Sequence, residues 1–168
     1  MADTDIRNMT AGDLDFCLEM FHIAGWGNTA DDVLRMLAYE PGGCFIASLD
    51  GEDVGMVGSI SYGDVGYLGN LIVRPEHRGK GIGAVLMNAA MGHLRENGVK
   101  SIRLDAVPKA ITLYERLGFR RESLSLRFTG LASETGSKGC GRMMKSDLPD
   151  VLGLDLRLFG APRGRVLR

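Results

Sequence analysis

The stretch Leu71-Ile72-Val73-Arg74-Pro75-Glu76-His77-Arg78-Gly79-Lys80-Gly81-Ile82-Gly83 decides how the chain is read. An apolar run ends at Val73, a proline-bearing turn follows, and three glycines alternate with Lys80 and Ile82. Glycine lets a backbone approach a ligand closely, and successive amides at a helix start form an anion-binding concavity. The guest that suits it is a diphosphate, with Arg78 and Lys80 adding charge at the rim. A P-loop is excluded, because Gly81 stands where Ser or Thr must follow the Gly-Lys pair. A dinucleotide fingerprint is met formally by Gly79, Gly81 and Ala84, but it demands a tight turn straight from strand to helix. Here Arg74 to Arg78 intervene, and two helices and three strands are read before the motif. A glycine-rich turn with no ligand is the plain alternative.

Upstream, Ile6 to Met9 reads as a strand, and Thr10-Ala11-Gly12-Asp13 as a capping box ahead of Leu14, Cys17, Leu18 and Phe21 at helical spacing. Gly25-Trp26-Gly27-Asn28 breaks that helix, and Thr29 with Asp32 opens another, carrying Val33, Leu34, Leu37 and Ala38. Pro41-Gly42-Gly43 ends it. Cys44 to Leu49 and Val54 to Tyr62 read as a hairpin across Asp50-Gly51, and Gly63-Asp64 turns into Val65 to Val73. Downstream, Ile82, Val85, Leu86, Ala89 and Ala90 give the buried stripe of a long helix, capped at Gly98. Ser101 to Ala106 is a strand. Ala110, Leu113, Tyr114 and Leu117 make one face of a short helix stopped by Gly118. Phe119 and Leu124 to Phe128 supply the last strands of an α+β sheet domain spanning 1–128. Residues 129–146, rich in Gly, Ser, Thr and Lys, read as a linker. Residues 147–168 form an amphipathic extension with Leu148, Val151, Leu152, Leu156 and Phe159 on one face and Arg163, Arg165 and Arg168 beyond.

Composition narrows the function. Lys and Arg number 20 against 21 Asp and Glu, so bulk charge gives no reason to propose nucleic acid or an anionic membrane as partner. Cys17, Cys44 and Cys140 form no CxxC, and His22, His77 and His93 no HExxH, so neither a zinc site nor a disulfide framework is expected. No signal-like or membrane-length apolar segment is read, and a cytoplasmic location is the expectation.

Arg78-x-x-Gly81-x-Gly83, preceded by Leu71 to Glu76, resembles the coenzyme-A signature of the GCN5-related N-acetyltransferases. Leu113-Tyr114-Glu115-Arg116-Leu117-Gly118-Phe119 is similar to a second motif of that family at the expected distance. The resemblance covers about Ile6 to Phe128. It implies a mixed, mostly antiparallel sheet flanked by helices, with the strands carrying Leu71 to Val73 and Ile102 to Ala106 splayed apart. Acetyl-CoA is then the co-substrate, its pantetheine arm bonded to the backbone of Leu71, Ile72 and Val73. Its diphosphate lies on Arg78, Gly79, Lys80, Gly81, Ile82 and Gly83, and no metal is needed.

The same resemblance makes Tyr114 the general acid at the departing sulfur, although its place on an apolar helical face also suits a core aromatic. Asp105, at the end of a strand that should line the cleft, is the candidate base; it could equally cap the following loop. The backbone amide near Leu71 to Ile72 is the oxyanion donor. Trp26, Tyr67 and Asn70 are candidates for the acceptor side, with core packing (Trp26) or outward-facing strand positions (Tyr67, Asn70) as the plainer readings. His77 is read as a solvated loop residue. Val107 stands where many family members carry Asn, which weakens the polar contacts expected on that side.

The acceptor implied is a primary amine, on a small molecule or on a protein. The alternative is a catalytically silent acyl-CoA-binding or regulatory module. Leu154-Asp155 with Phe159-Gly160-Ala161 and Arg163 resembles the segment joining the halves of a two-domain branch of the family. The final helix is expected to pack on its own domain or on another copy in a homodimer, with a frayed C-terminus as the plainer reading.

Overall fold

The computed structural model describes residues 4–126, 128–131, 139 and 141–167. Its central sheet has five strands in the order β1-β2-β3-β4-β5: Thr4–Asn8, Cys44–Leu49, Glu52–Tyr62, Val65–Val73 and Ser101–Leu104. The first four pair antiparallel, and β5 lies parallel to β4 with Leu68 opposite Leu104 as the last matched pair. A parallel neighbour requires a crossover, and α3 (Ile82–Glu96) supplies it.

Local chemistry sets most boundaries. Thr10 and Asp13 make a reciprocal capping box before α1 (Leu14–Ala24), and Thr29 and Asp32 make another before α2 (Ala30–Tyr39). At the β2–β3 hairpin both Asp50 and Gly51 have positive φ, 52° and 84°, the geometry of a tight two-residue hairpin turn.

Two apolar layers hold the sheet. On one face Cys17, Met20 and Phe21 of α1 and Val33 of α2 pack on Cys44, Ile46, Met56 and Ile72. On the other, Ile82, Leu86, Met87, Ala90, Met91 and Leu94 of α3 pack on Ala47, Val57 and Leu68. Tyr114 and Leu117, on and just after α4 (Ile111–Arg116), join that second layer with Phe119.

Phe119 and the described residues of 124–128 lie in no strand. Alternation of Leu124, Leu126 and Phe128 specifies a two-faced segment, but a strand also needs a hydrogen-bonded neighbour. Without one those three side chains stand 70–89% exposed. Of the stretch read as a linker, residues 132–138 and 140 lie outside the described residues, as do Arg168 and Cys140.

The C-terminal helices α5 (Leu148–Phe159) and α6 (Gly164–Leu167) dock on the domain itself. Phe159 sits edge-on to Tyr62 at 5.4 Å, and its carbonyl accepts from Arg103 Nη1 at 3.2 Å. Arg165 donates to Ser61 O at 3.2 Å. Only part of the expected stripe is used, since Leu156 remains exposed.

Arg165 also approaches Glu40, whose buried carboxylate accepts from the Ser61 N–H and hydroxyl, each at 2.8 Å, and lies 3.1 Å from His93 Nε2. Burial pushes the Glu40 carboxyl up, but the Ser61 donors and His93 together outweigh it and hold it below its ordinary value. A depressed carboxyl contributes stability that is present above its unfolded pKa of about 4.3 and is lost as pH falls through the folded one. Glu40→Gln should therefore lower Tm most near neutrality, and the gap from the parent should narrow below about pH 4.3. Melting curves of both proteins between pH 3 and 7 check this; a constant gap would remove Glu40 from the acid sensitivity.

Candidate active site

The site is built on one irregularity in β4. Met56 pairs with Ile72 and Gly58 with Gly69, so β4 carries one residue more than β3 across this interval. The extra residue is a β-bulge, and Asn70 sits in it with φ of 55°. Asparagine is among the few non-glycine residues that tolerate this region. The bulge also changes which face the strand presents. Leu68 and Ile72, four residues apart, would share a face in an unbroken strand. Here Leu68 packs under α3 while Ile72 packs under α1 and α2.

β5 ends at Leu104, so from Gly69 to Val73 β4 has no partner on that side among the described residues. The two strands part there, and the opening is a cavity of about 310 Å³. Its walls include Leu71, Ile72, Val73 and Arg78 on one side and Asp105, Val107 and Tyr114 on the other. Trp26 and Asn70 close the end nearest the α1–α2 turn.

Just beyond Arg78, which lines the cavity, the glycine segment enters α3. Gly81 is the residue before the helix, with φ of 87°. A Cβ placed on Gly79 or Gly81 would meet no protein atom within 4 Å, so the space over these residues is open. The amides of Gly79, Lys80 and Gly81 donate to no backbone acceptor among the described residues, and those of Ile82 and Gly83 begin a helix whose first N–H groups have no intrahelical partner. This row of free donors at the positive end of the α3 dipole is the chemistry a diphosphate requires. Arg78 Nε donates to Val73 O at 2.9 Å, which bends its side chain back over the end of β4. Lys80 Nζ is 3.4 Å from His77 Nδ1 on the exposed rim. A Cβ on Gly83 would lie in ordinary contact with Leu113 at 3.4 Å, which places the start of α3 against α4.

Tyr114 is half-buried, edge-on to Phe119 at 6.1 Å. Burial pushes its phenol above the ordinary value, so it stays protonated well past neutral pH. Tyr67 projects from the opposite face of β4 to Leu68. Its register partner on β5 is Arg103, and Asp105 lies two residues on, on the same face. The Tyr67 hydroxyl donates to Asp105 Oδ2. Burial first, then the Asp105 bond and charge, drive the Tyr67 phenol far above its usual range.

Trp26 packs on the α1–α2 side of the core, 6.3 Å from Phe21, while still bordering the cavity. Asn70 Nδ2 lies 3.3 Å from Met36 Sδ of α2. The structure thus gathers Trp26, Asn70, Leu71 to Val73, Arg78, Asp105 and Tyr114 around one cleft. Two features escaped the sequence reading. One is the bulge, whose only trace is Gly69-Asn70 interrupting an apolar run. The other is the Tyr67–Asp105 pair, which requires the strand register.

Among the described residues no group of three or more His, Cys, Asp or Glu could hold a metal ion. Among the same residues no helix is long and apolar enough to cross a membrane.

A model of the acetyltransferase (GNAT) family matches residues 14–119. Holothin acyltransferase from Pseudoalteromonas sp. is 25% identical over 146 residues, which is 85% of this chain and 49% of that protein. Mycothiol acetyltransferase from Thermobispora bispora is 34% identical over 100 residues, 54% of this chain and 34% of that protein. The chain therefore spans half or less of these two relatives. A Pyrococcus horikoshii structure shares the fold with a TM-score of 0.73 at 24% identity, covering 98% of this chain and 60% of that one.

Proposed function

Since the chain belongs to the acetyltransferase (GNAT) family, we propose that it transfers the acetyl group of acetyl-CoA to a primary amine by direct attack in a ternary complex. The observation that carries this reading is the cleft between β4 and β5, lined by Arg78, the Tyr114 phenol and the Asp105 carboxylate, with the free amides following directly after Arg78.

The coenzyme supplies an activated thioester. Backbone groups of Leu71 to Val73 hold its arm, and the amides from Gly79 to Gly83 hold the diphosphate. A lysine-like amine has a reference pKa near ~10.4, so binding it neutral at pH 7 costs about 4–5 kcal/mol. Asp105 accepts the next proton, the one the attacking nitrogen sheds as the C–N bond forms. An amide near Leu71 stabilises the oxygen of the tetrahedral species, a task that needs no side chain. Tyr114 donates its proton to the sulfur as the C–S bond breaks. Solvent then returns a proton to Tyr114 and removes one from Asp105. Holding the two reactants together contributes on the order of 7–11 kcal/mol in well-oriented cases.

The acceptor enters past Trp26 and Asn70. Two matched relatives are named for the small molecules holothin and mycothiol, which supports a small-molecule amine over a protein amino group. The test is calorimetric titration with acetyl-CoA, followed by amino sugars, amino acids, polyamines and a lysine peptide while free thiol is monitored. Micromolar binding with thiol release on one amine class is the expected result. Binding without release from any amine would turn the reading to a silent acyl-CoA module, and no binding would overturn it.

A further inference from the structure

Tyr67 and Asn70 read alike in sequence, as polar residues just before the coenzyme strand, yet they do different things. Asn70 borders the cavity, whereas Tyr67 spends its only polar group on Asp105. The geometry that forces this is fixed by the sheet. Tyr67 and Arg103 are register partners on parallel strands, so Asp105 stands diagonally across from Tyr67 on the same face, beyond the last matched pair. Asp105 is therefore on a segment no longer held by the β-ladder, and it is exposed. A carboxylate in that position has no backbone reason to keep one orientation.

We infer that Tyr67 is a positioning residue, whose O–H fixes Asp105 Oδ2 and leaves Oδ1 to take the proton of the acceptor amine. Tyr67 is half-buried and lines a cavity with Phe159, on whose ring the Arg163 guanidinium stacks at 4.0 Å. A hydrogen bond to an ionised group is stronger than a neutral one, and the phenol, kept protonated far above neutrality by burial and Asp105, remains a donor throughout the working range.

This inference rests on Asp105 being the proton acceptor, so the experiment separates the two ideas. Tyr67→Phe, Asp105→Asn and the double variant are assayed with acetyl-CoA and the primary amine that releases thiol fastest. Tyr67→Phe keeps the ring and should lower kcat about tenfold, with KM for acetyl-CoA unchanged. Asp105→Asn should lower kcat by more than that. In the Asp105→Asn background, removing the Tyr67 hydroxyl should cost less than twofold, because the hydroxyl acts through that carboxylate. A loss that multiplies fully in the double variant, or a Tyr67→Phe effect confined to KM for the amine, would overturn the positioning role and leave the base in place. Full turnover in Asp105→Asn would overturn both. A structural role alone would lower stability without this non-additive loss of kcat.

Discussion

Gly81→Val is expected to weaken acetyl-CoA binding by more than a hundredfold while leaving the fold intact. Gly81 adopts φ of 87°, and a β-branched residue there stores strain of about 1–3 kcal/mol. A domain stable by ~5–15 kcal/mol survives that. The added side chain would strike no protein atom, since nothing lies within 4 Å of its Cβ. It would instead fill the concavity over the free amides of Gly79 to Gly83. Hydrogen bonds to a charged group are worth roughly 1.5–3 kcal/mol each. Losing two of them amounts to about 3–6 kcal/mol, which is a hundredfold or more in affinity. Gly98→Val is the control. Gly98 has φ of 81° just beyond the other end of α3, with equally open space around its Cβ, so it carries comparable strain far from the cleft. Calorimetry with acetyl-CoA and melting curves on both variants decide the matter. Equal affinity in the two would mean that the diphosphate does not rest on these amides.

That prediction depends on residues whose reading from sequence was direct, and the reason is physical. Glycines at a strand-to-helix junction, capping boxes at Thr10 and Thr29, and the Asp50-Gly51 turn are local devices, so a few residues determine each one. The limits of β2 and β4 follow from apolar runs bounded by such turns. What sequence could not supply was pairing. Leu124, Leu126 and Phe128 alternate as a strand should, yet alternation describes a face and says nothing about a neighbour to bond with. Asp105 looked like an isolated strand-end carboxylate, because its partner Tyr67 lies 38 positions away and meets it only through the β4–β5 register. Glu40 likewise gave no signal, since His93 and Arg165 reach it from two other elements. The bulge at Asn70 falls between these cases. Asparagine's tolerance of positive φ was available locally, but the extra residue becomes visible only against β3.

Tyr114→Phe tests the chemistry rather than the cradle, and it should lower kcat about a hundredfold with KM for acetyl-CoA unchanged. The substitution keeps the ring that packs edge-on against Phe119 and removes only the hydroxyl. A thiol has a reference pKa near ~8.5, below that of a phenol at ~10, and burial raises the Tyr114 phenol further. Protonating a free, solvated thiolate from this phenol would therefore run uphill. The transfer becomes useful where the closed ternary complex desolvates the departing thiolate more than the phenolate and so lifts the thiol's pKa above the phenol's. General acid catalysis contributes roughly 10²–10⁴-fold, and a thiolate leaves readily enough to place the effect at the lower end. Because the raised phenol stays protonated, the parent enzyme should show no loss of kcat from this group below about pH 10. A Tyr114→Phe variant retaining kcat within twofold would mean that the thiolate departs unprotonated. Unchanged acetyl-CoA affinity together with the loss of kcat would distinguish an acid from a packing residue, since a collapsed Tyr114 pocket would weaken coenzyme binding as well.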